Sequence, residues 1–152
     1  MAKITTPRAL FDNVASLDEP APTCVSDYLS QFAIPETSKE YRLSQEFLAS
    51  YAGSQDTFNA YRKEIERLLQ WSWIVAKKPI KNLDRNDIRR YIEFASDPPP
   101  EWLSDKSVAR FIDKNGERLH NNEWRPFVIR IGKSQRKEGL TTQNAEYRLT
   151  NP

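Results

Sequence analysis

One amphipathic stretch, from Asp56 to Ile74, constrains the fold of this chain more than any other feature. Its apolar residues recur at steps of three and four, which is the period of a helix with one buried face. They are Phe58, Tyr61, Ile65, Leu68, Leu69, Trp73 and Ile74. Charged residues fill the other face, and no Gly or Pro interrupts the stretch before Pro79. The pattern predicts a long helix with Asp56 as its N-cap.

Two further helical patterns flank this stretch. Thr37–Glu40 has the spacing of a capping box, and the apolar stripe after it stops at Gly53, which suits a left-handed helix end. Asp84 and Asp87 predict the start of a third helix, which Pro98 must end. Three helices of this size predict one small core. Its predicted members are Leu43, Phe47, Phe58, Tyr61, Ile65, Leu68, Ile88, Tyr91 and Ile92.

The pattern changes after the prolines at 98–100. Asn115-Gly116 lies between two short β-prone runs, which is the strongest short signal for a type I′ hairpin. A further short strand is predicted within 124–131, with Pro126 at its start or at a sheet edge. Residues 144–152 have the composition that precedes a helix, with Pro152 suited to its first turn.

Residues 1–36 have the composition of a flexible leader, because prolines and scattered small and acidic residues bury little apolar area. Four apolar residues are exceptions that could dock on the core or bind a partner: Tyr28, Leu29, Phe32 and Ile34. The predicted division is a flexible leader at 1–36, a domain of three helices at 37–97, an insertion with a hairpin at 98–143, and the start of a truncated further helix at 144–152.

The central stretch also carries a family resemblance. Thr57-x-Asn59-Ala60-Tyr61-Arg62-Lys63-Glu64, followed by Trp71, resembles the second helix of the N-terminal core-binding domain of tyrosine recombinases, the phage integrases. The loop at 77–82 and the turn at 83–88 are similar to that family's entry into its third helix, and the similarity covers about 38–96. The resemblance implies a mainly α fold, a small orthogonal SAM-like helical bundle, here with an inserted β-hairpin.

In that family the domain clamps one side of duplex DNA at the crossover site, opposite the catalytic domain. The resemblance therefore implies DNA integration or recombination, with duplex DNA and other recombinase protomers as partners. It implies no cofactor, metal or small-molecule ligand. No apolar run approaches the ~20 residues that span a bilayer, the N-terminus lacks the pattern of a signal peptide, and Cys24 is the single cysteine, so we expect no membrane partner and a cytoplasmic location. The candidate DNA-binding residues are Thr57, Asn59, Arg62, Lys63, Lys77, Lys78, Lys81, Arg85 and Arg89. The first four match the family's helix best.

The distribution of charge agrees with a basic domain behind an acidic leader. Residues 1–40 contain three basic and six acidic side chains, and the rest contain twenty basic and fifteen acidic ones. Phosphate contact needs charge and reach rather than exact side-chain geometry, so basic residues suit positioning on the DNA backbone. Further basic side chains that could contact phosphate follow toward the C-terminus: Arg110, Arg118, Arg125, Arg130, Lys133, Arg136 and Lys137.

The family's catalytic residues include a His-x-x-Arg motif, which this sequence lacks. His120 is the sole histidine and is followed by Asn121-Asn122-Glu123. We therefore expect this chain, as a fragment without the catalytic domain, not to cut DNA. One histidine and one cysteine, Cys24, also exclude a zinc site within a single chain.

The sequence departs from compact family members in one respect. About fifty residues separate the third helix from the predicted further helix, and this long insertion is similar to that of longer integrases from mobile elements.

Two other functions stay open. A helical protein-interaction module would bind a partner through exposed apolar residues, including Trp102 and Trp124, and would not bind DNA. A small enzyme is the weaker alternative, because no nucleophile–base set is visible.

Overall fold

The computed structural model describes residues 6–129, and their core is built around the predicted central helix. Four α-helices occur in this range: α1 Thr23–Ser30, α2 Thr37–Ala49, α3 Gln55–Gln70 and α4 Arg85–Ser96. The four short strands are β1 Leu103–Ser104, β2 Phe111–Lys114, β3 Glu117–His120 and β4 Phe127–Val128. The predicted mainly α fold with an inserted hairpin is therefore confirmed, and the residues predicted at 144–152 to begin a helix lie outside the described range.

The helix starts follow side-chain chemistry that the sequence showed only in part. α4 begins as predicted, with a capping box in which Asp84 and Asp87 accept each other's backbone N–H at 2.9 and 3.0 Å. α3 begins earlier than predicted, because the Ser54 side chain, not Asp56, accepts the Thr57 N–H. The predicted box at the start of α2 is wrong. The Glu40 carboxylate instead accepts bonds from the Trp73 indole and the Ile80 N–H, both at 2.9 Å.

A π-helical turn at Trp71–Ala76 continues α3 and ends at Lys77, whose φ of +58° is left-handed. The wider turn of a π-helix changes the direction of the side chains that follow it. Trp71 packs with Trp102 and Phe127 in one apolar cluster, whereas Trp73 packs in the larger core. Both tryptophans are buried, which confirms the predicted place of Trp73 on the buried face of the stretch.

Residues 7–12, which we call the N-terminal segment, are part of the larger of two apolar clusters, which we call the larger core. Ala9, Leu10 and Phe11 are at most 1% exposed, and α1 contributes Val25, Tyr28 and Leu29 to the same cluster. The Phe11 ring stacks on Tyr41 of α2 at a centroid distance of 5.1 Å. The prediction of a flexible leader is therefore wrong for residues 6–36. The prediction that Tyr28, Leu29, Phe32 and Ile34 could dock on the core is confirmed.

Glu66 of α3 explains why this segment is held. The side chain is 1% exposed, and its Oε2 accepts the backbone N–H groups of Leu10 at 2.8 Å and Phe11 at 3.1 Å. Its Oε1 accepts the Arg110 guanidinium at 2.7 Å. The sequence placed Glu66 on a solvated helix face, which is wrong. A buried carboxylate is tolerated here because every bond is charge-assisted.

The hairpin closes over the N-terminal segment from the other side. Arg118 binds both carboxylate oxygens of Asp12, at 2.8 and 2.9 Å. His120 Nε2 lies 2.8 Å from the Ala9 carbonyl oxygen. Burial lowers the pKa of His120, so its ring is neutral near pH 7 and Nε2–H donates to that carbonyl. The N-terminal segment therefore lies between α3 and the hairpin, with polar bonds on both sides.

The core predicted from helical periodicity is correct at Phe58 and wrong at five positions. Leu43, Phe47, Tyr61, Ile88 and Ile92 are exposed, whereas Ile65, Leu68 and Tyr91 are half-buried. Ile88 and Ile92 are exposed because α4 packs through Tyr91, Phe94 and Ala95 instead. The physical reason for the other three positions is that the N-terminal segment and α1 pack against one side of α2 and α3. Tyr41, Leu48 and Phe58 face this side, and the apolar residues on the opposite side are left at the surface.

Trp102 and Trp124 fix the segment after the prolines. Trp102 is 2% exposed and packs edge-to-face on Phe94 of α4, and Trp124 is 6% exposed in the larger core. β1 and β4 pair in parallel, with Leu103 opposite Phe127. Trp102 and Trp124 therefore anchor the segment after the prolines to the rest of the fold.

The hairpin turn has the predicted geometry, since Asn115 and Gly116 have φ values of +54° and +78° between β2 and β3.

Gly116→Ala is expected to lower the free energy of unfolding by about 1–2 kcal/mol, because a Cβ is strained in the left-handed region. Urea unfolding followed by circular dichroism measures the change. Gly53→Ala is the control, because the φ of Gly53 is not positive and its Cβ would meet no heavy atom within 4 Å. An equal loss in both variants would contradict the strain argument.

Candidate nucleic-acid interface

The candidate residues at the start of α3 mostly serve the helix itself. The Thr57 hydroxyl accepts a bond from Ser54 Oγ at 3.0 Å, beside the N-cap. The exposed Asn59 uses its Oδ1 to accept the Gln55 amide at 2.9 Å and the Arg62 guanidinium at 3.3 Å. The Asn59 amide N–H₂ stays available to a ligand, because both of these contacts use Oδ1.

Arg62 faces the protein. Its Nη1 donates to the Asp12 carbonyl at 2.8 Å, and its guanidinium lies over the Phe58 ring at 5.1 Å. Burial, followed by the charge of Arg110, lowers the pKa of Arg62 to about 10, so the group is still charged at neutral pH. Arg62 therefore helps to hold the N-terminal segment against α3, a role that its position in the helix did not reveal.

Lys63 lies on the outer face of α3, away from these contacts. Its side chain is exposed, and it makes no ion pair with the residues that the structure describes. Of the four residues that best match the resembled helix, Lys63 is the basic one that presents its charge to solvent.

The three lysines between α3 and α4 differ in their partners. Lys78 pairs with Asp87, and this pair, with the Asp84 backbone N–H next, holds the pKa of the Asp87 carboxyl below its usual range. Lys81 pairs with Glu36 at 3.2 Å but stays largely exposed. Lys77 is exposed at the left-handed end of the π-helical turn and has no ion pair within 6–129. Two of the three lysines therefore also connect parts of the fold.

α4 presents two arginines together. Arg85 and Arg89 are four residues apart, so they lie on one face of the helix, and both are exposed. Neither has an acidic partner in the described part of the chain, whereas Arg90 on the adjoining face pairs with Asp87 at 3.5 Å. The Asp84 and Asp87 carboxylates occupy the α4 N-terminus, so phosphate contact by this helix would depend on its arginine side chains.

Three of the seven basic residues predicted to extend the positive charge toward the C-terminus have structural partners instead. Arg110 pairs with Glu66, Arg118 pairs with Asp12 and Asp113, and Arg125 donates to the carbonyls of Asn122 and Trp124. The remaining four lie outside the described range: Arg130, Lys133, Arg136 and Lys137. Sequence spacing gave no sign that the hairpin arginines point into the fold.

The arrangement of charges divides the candidate residues into two groups. Four of the basic candidates face solvent with no ion pair inside 6–129: Lys63, Lys77, Arg85 and Arg89. The other basic candidates, Arg62, Lys78 and Lys81, bind neighbouring parts of the fold. We call these four side chains uncommitted, because they have no ion pair inside 6–129. Such charges can bind a polyanion without first breaking an internal ion pair.

No group of three His, Cys, Asp or Glu side chains within 6–129 is placed to hold a metal ion. No helix in this range is long and apolar enough to cross a membrane.

Residues 44–112 match the family described as phage integrase, N-terminal SAM-like domain. The matched range begins within α2 and ends in β2, so it contains α3, α4 and the lysine-bearing loop between them. This match confirms the resemblance carried by the central helix. Comparisons with curated proteins and with solved structures found no match.

Proposed function

With residues 44–112 assigned to the N-terminal SAM-like domain of phage integrases, we propose that this chain binds duplex DNA as the core-binding part of a tyrosine recombinase. Its role is to seat the recombinase on one side of the duplex at the crossover site, during DNA integration or recombination. Strand cleavage belongs to a separate catalytic domain in this proposal. The chain itself acts through positioning and needs no cofactor.

The observation that supports this function best is the set of uncommitted basic side chains on α3, α4 and the loop that joins them. Elsewhere in the described range, buried or half-buried arginines have specific partners, as in Arg110 with Glu66 and Arg118 with Asp12. Lys63, Lys77, Arg85 and Arg89 instead face solvent within the segment that matches the integrase family. Phosphate contacts of this kind position a protein on DNA without reading its sequence.

The alternative of a protein-interaction module loses part of its basis. It relied on Trp102 and Trp124 as exposed docking residues, and both are buried. Other apolar residues are exposed, but a recombinase also contacts its neighbouring protomers.

The DNA-binding proposal predicts a salt-dependent interaction that requires these side chains. Fluorescence anisotropy of a labelled random duplex should show binding at about 50 mM salt that weakens at least about tenfold at about 200 mM. Lys63→Ala, Arg85→Ala and Arg89→Ala should each weaken binding and make the salt slope shallower by about one, because each removes one phosphate contact.

Lys114→Ala is the matched control, because Lys114 is an exposed lysine on the hairpin outside the proposed surface. It should leave both affinity and salt slope unchanged. Arg62→Ala should lower the stability of the fold, because its guanidinium holds the N-terminal segment. If the duplex does not bind at low salt, or if Lys114→Ala weakens binding as much as Arg85→Ala, the proposed surface is wrong.

A further inference from the structure

α2 and α3 share an exposed apolar surface on the side away from the core. It is formed by Leu43 and Phe47 of α2, Tyr61 of α3 and the half-buried Tyr51 in the turn between them, and we call it the α2–α3 patch. Leu43, Phe47 and Tyr61 are 52%, 43% and 40% exposed. The Phe47 ring lies 5.2 Å from Tyr51 and 5.4 Å from Tyr61, and the two tyrosine rings are 4.6 Å apart. Leu43 is one helical turn from Phe47, so the surface is continuous.

This patch differs from the outer face of an ordinary surface helix. α2 already buries Tyr41 and Leu48 on its inner face, so a polar outer face would be enough for its stability. Contiguous apolar side chains at the surface of a folded domain mark an interaction site. Tyrosine and phenylalanine are also enriched where proteins meet, because they bury a large area and lose little conformational freedom.

The charges around the patch indicate which partner fits it. The exposed stripe of α2 contains Lys39 and Arg42 in its first half and Glu46 in its second half. A second α2 that runs antiparallel would place the basic half of each helix beside the acidic residue of the other. Arg42 and Glu46 make no ion pair with each other within the chain, so both are available for this contact.

We propose that the α2–α3 patch binds the same patch of a second copy of this chain, in a two-fold, antiparallel contact. Leu43 and Phe47 lie at the centre of the contact, and Lys39, Arg42 and Glu46 lie at its rim. A surface that is complementary to itself is the requirement for a two-fold dimer. The inference deepens the proposed function, since it names the surface through which neighbouring recombinase protomers meet.

The size of the patch sets the strength of the contact. α2 has 13 residues and is about 20 Å long at 1.5 Å per residue, so one helix pair buries much less than the roughly 800 Å² per partner of a standard interface. Contacts of that size are weak in free solution, with dissociation constants on the order of 10 µM to 1 mM. Protomers held on one DNA molecule meet at an effective concentration in the millimolar range, where such a contact forms.

Sedimentation equilibrium in the absence of DNA tests the proposal from about 10 µM to about 1 mM chain. The average mass should rise from monomer toward dimer over this range. Phe47→Glu and, independently, Leu43→Glu should each weaken association at least tenfold while circular dichroism stays that of the parent chain. Ile112→Glu is the matched control, because Ile112 is 42% exposed on the hairpin outside the patch, and it should not change the association.

A charge exchange tests the antiparallel geometry. Arg42→Glu and Glu46→Arg chains should each associate less than the parent chain, because like charges then meet across the two-fold axis. An equimolar mixture of the two variants should associate again, because opposite charges are restored in the mixed dimer. A parent chain that stays monomeric to the highest concentration, or a Phe47→Glu chain that dimerises normally, would overturn the proposal. Neither result depends on DNA binding, so it leaves the test of the proposed function separate.

Discussion

Glu66→Ala is expected to lower the free energy of unfolding by about 3–5 kcal/mol. The substitution leaves the Arg110 guanidinium without its partner in a half-buried site and removes the acceptor for the N–H groups of Leu10 and Phe11. Buried donors that lose their partners keep the full cost of desolvation. Urea unfolding, monitored by tryptophan fluorescence, measures the loss.

Glu64→Ala is the matched control for this substitution. Glu64 lies two residues earlier on α3, is 58% exposed and pairs with Arg67 at 3.2 Å. The Glu64 carboxylate is solvated, and Arg67, although only 15% exposed, keeps its bond to the Pro126 carbonyl in this variant, so the loss should stay near about 1 kcal/mol. Equal losses for the two glutamates would show that Glu66 does not hold the N-terminal segment as the structure describes.

Phe11→Ala is expected to cost a similar amount, about 3–5 kcal/mol, because it opens a cavity at a fully buried aromatic position. Phe11 is 1% exposed and stacks on Tyr41, so the loss includes both buried area and a ring contact. The expectation is the reverse of what a flexible leader would show, for which the substitution would be neutral. The midpoint of urea unfolding decides between the two.

Phe47→Ala supplies the comparison with the same change of side chain. Because Phe47 is 43% exposed, its truncation should cost under about 1.5 kcal/mol when measured at micromolar chain concentration. If the two phenylalanines respond alike, the assignment of Phe11 to the core fails.

Local chemistry made part of this fold predictable from the sequence. The Asp84–Asp87 capping box, the prolines after α4 and the Asn115-Gly116 turn all act within a few residues, and each is where the sequence placed it. The central helix was also predictable, because its apolar period extends over four turns. The family resemblance followed from the same helix and agrees with the match at 44–112.

Long-range pairing was not predictable in the same way. Periodicity assigned Glu66 to solvent, because the groups that neutralise it, Arg110 and the backbone at 10–11, lie more than 40 residues away in sequence. The same pairing hid the role of the N-terminal segment, whose composition resembles disorder until its partners are known. Once that segment covers one side of α2, the apolar period of the helix no longer identifies the buried face.

The candidate DNA surface is divided by the same effect. Lys63, Arg85 and Arg89 are on outer faces that helical spacing can identify. Arg62 has the same spacing signal as Lys63 but binds the Asp12 carbonyl, and no local pattern distinguishes the two. Sequence reasoning can therefore propose which residues carry charge, whereas the fold decides which of those charges are free to meet a phosphate.

The bonds between the N-terminal segment and the hairpin affect the order in which the chain folds. Asp12 binds Arg118, and Ala9 binds His120, across 106 and 111 residues. During synthesis the earliest residues therefore wait for their partners until the hairpin has left the ribosome, although α2 and α3 can already pair. Contacts at such separations slow folding. The rate-limiting step of refolding is expected to be the docking of residues 7–12, after the helices have formed.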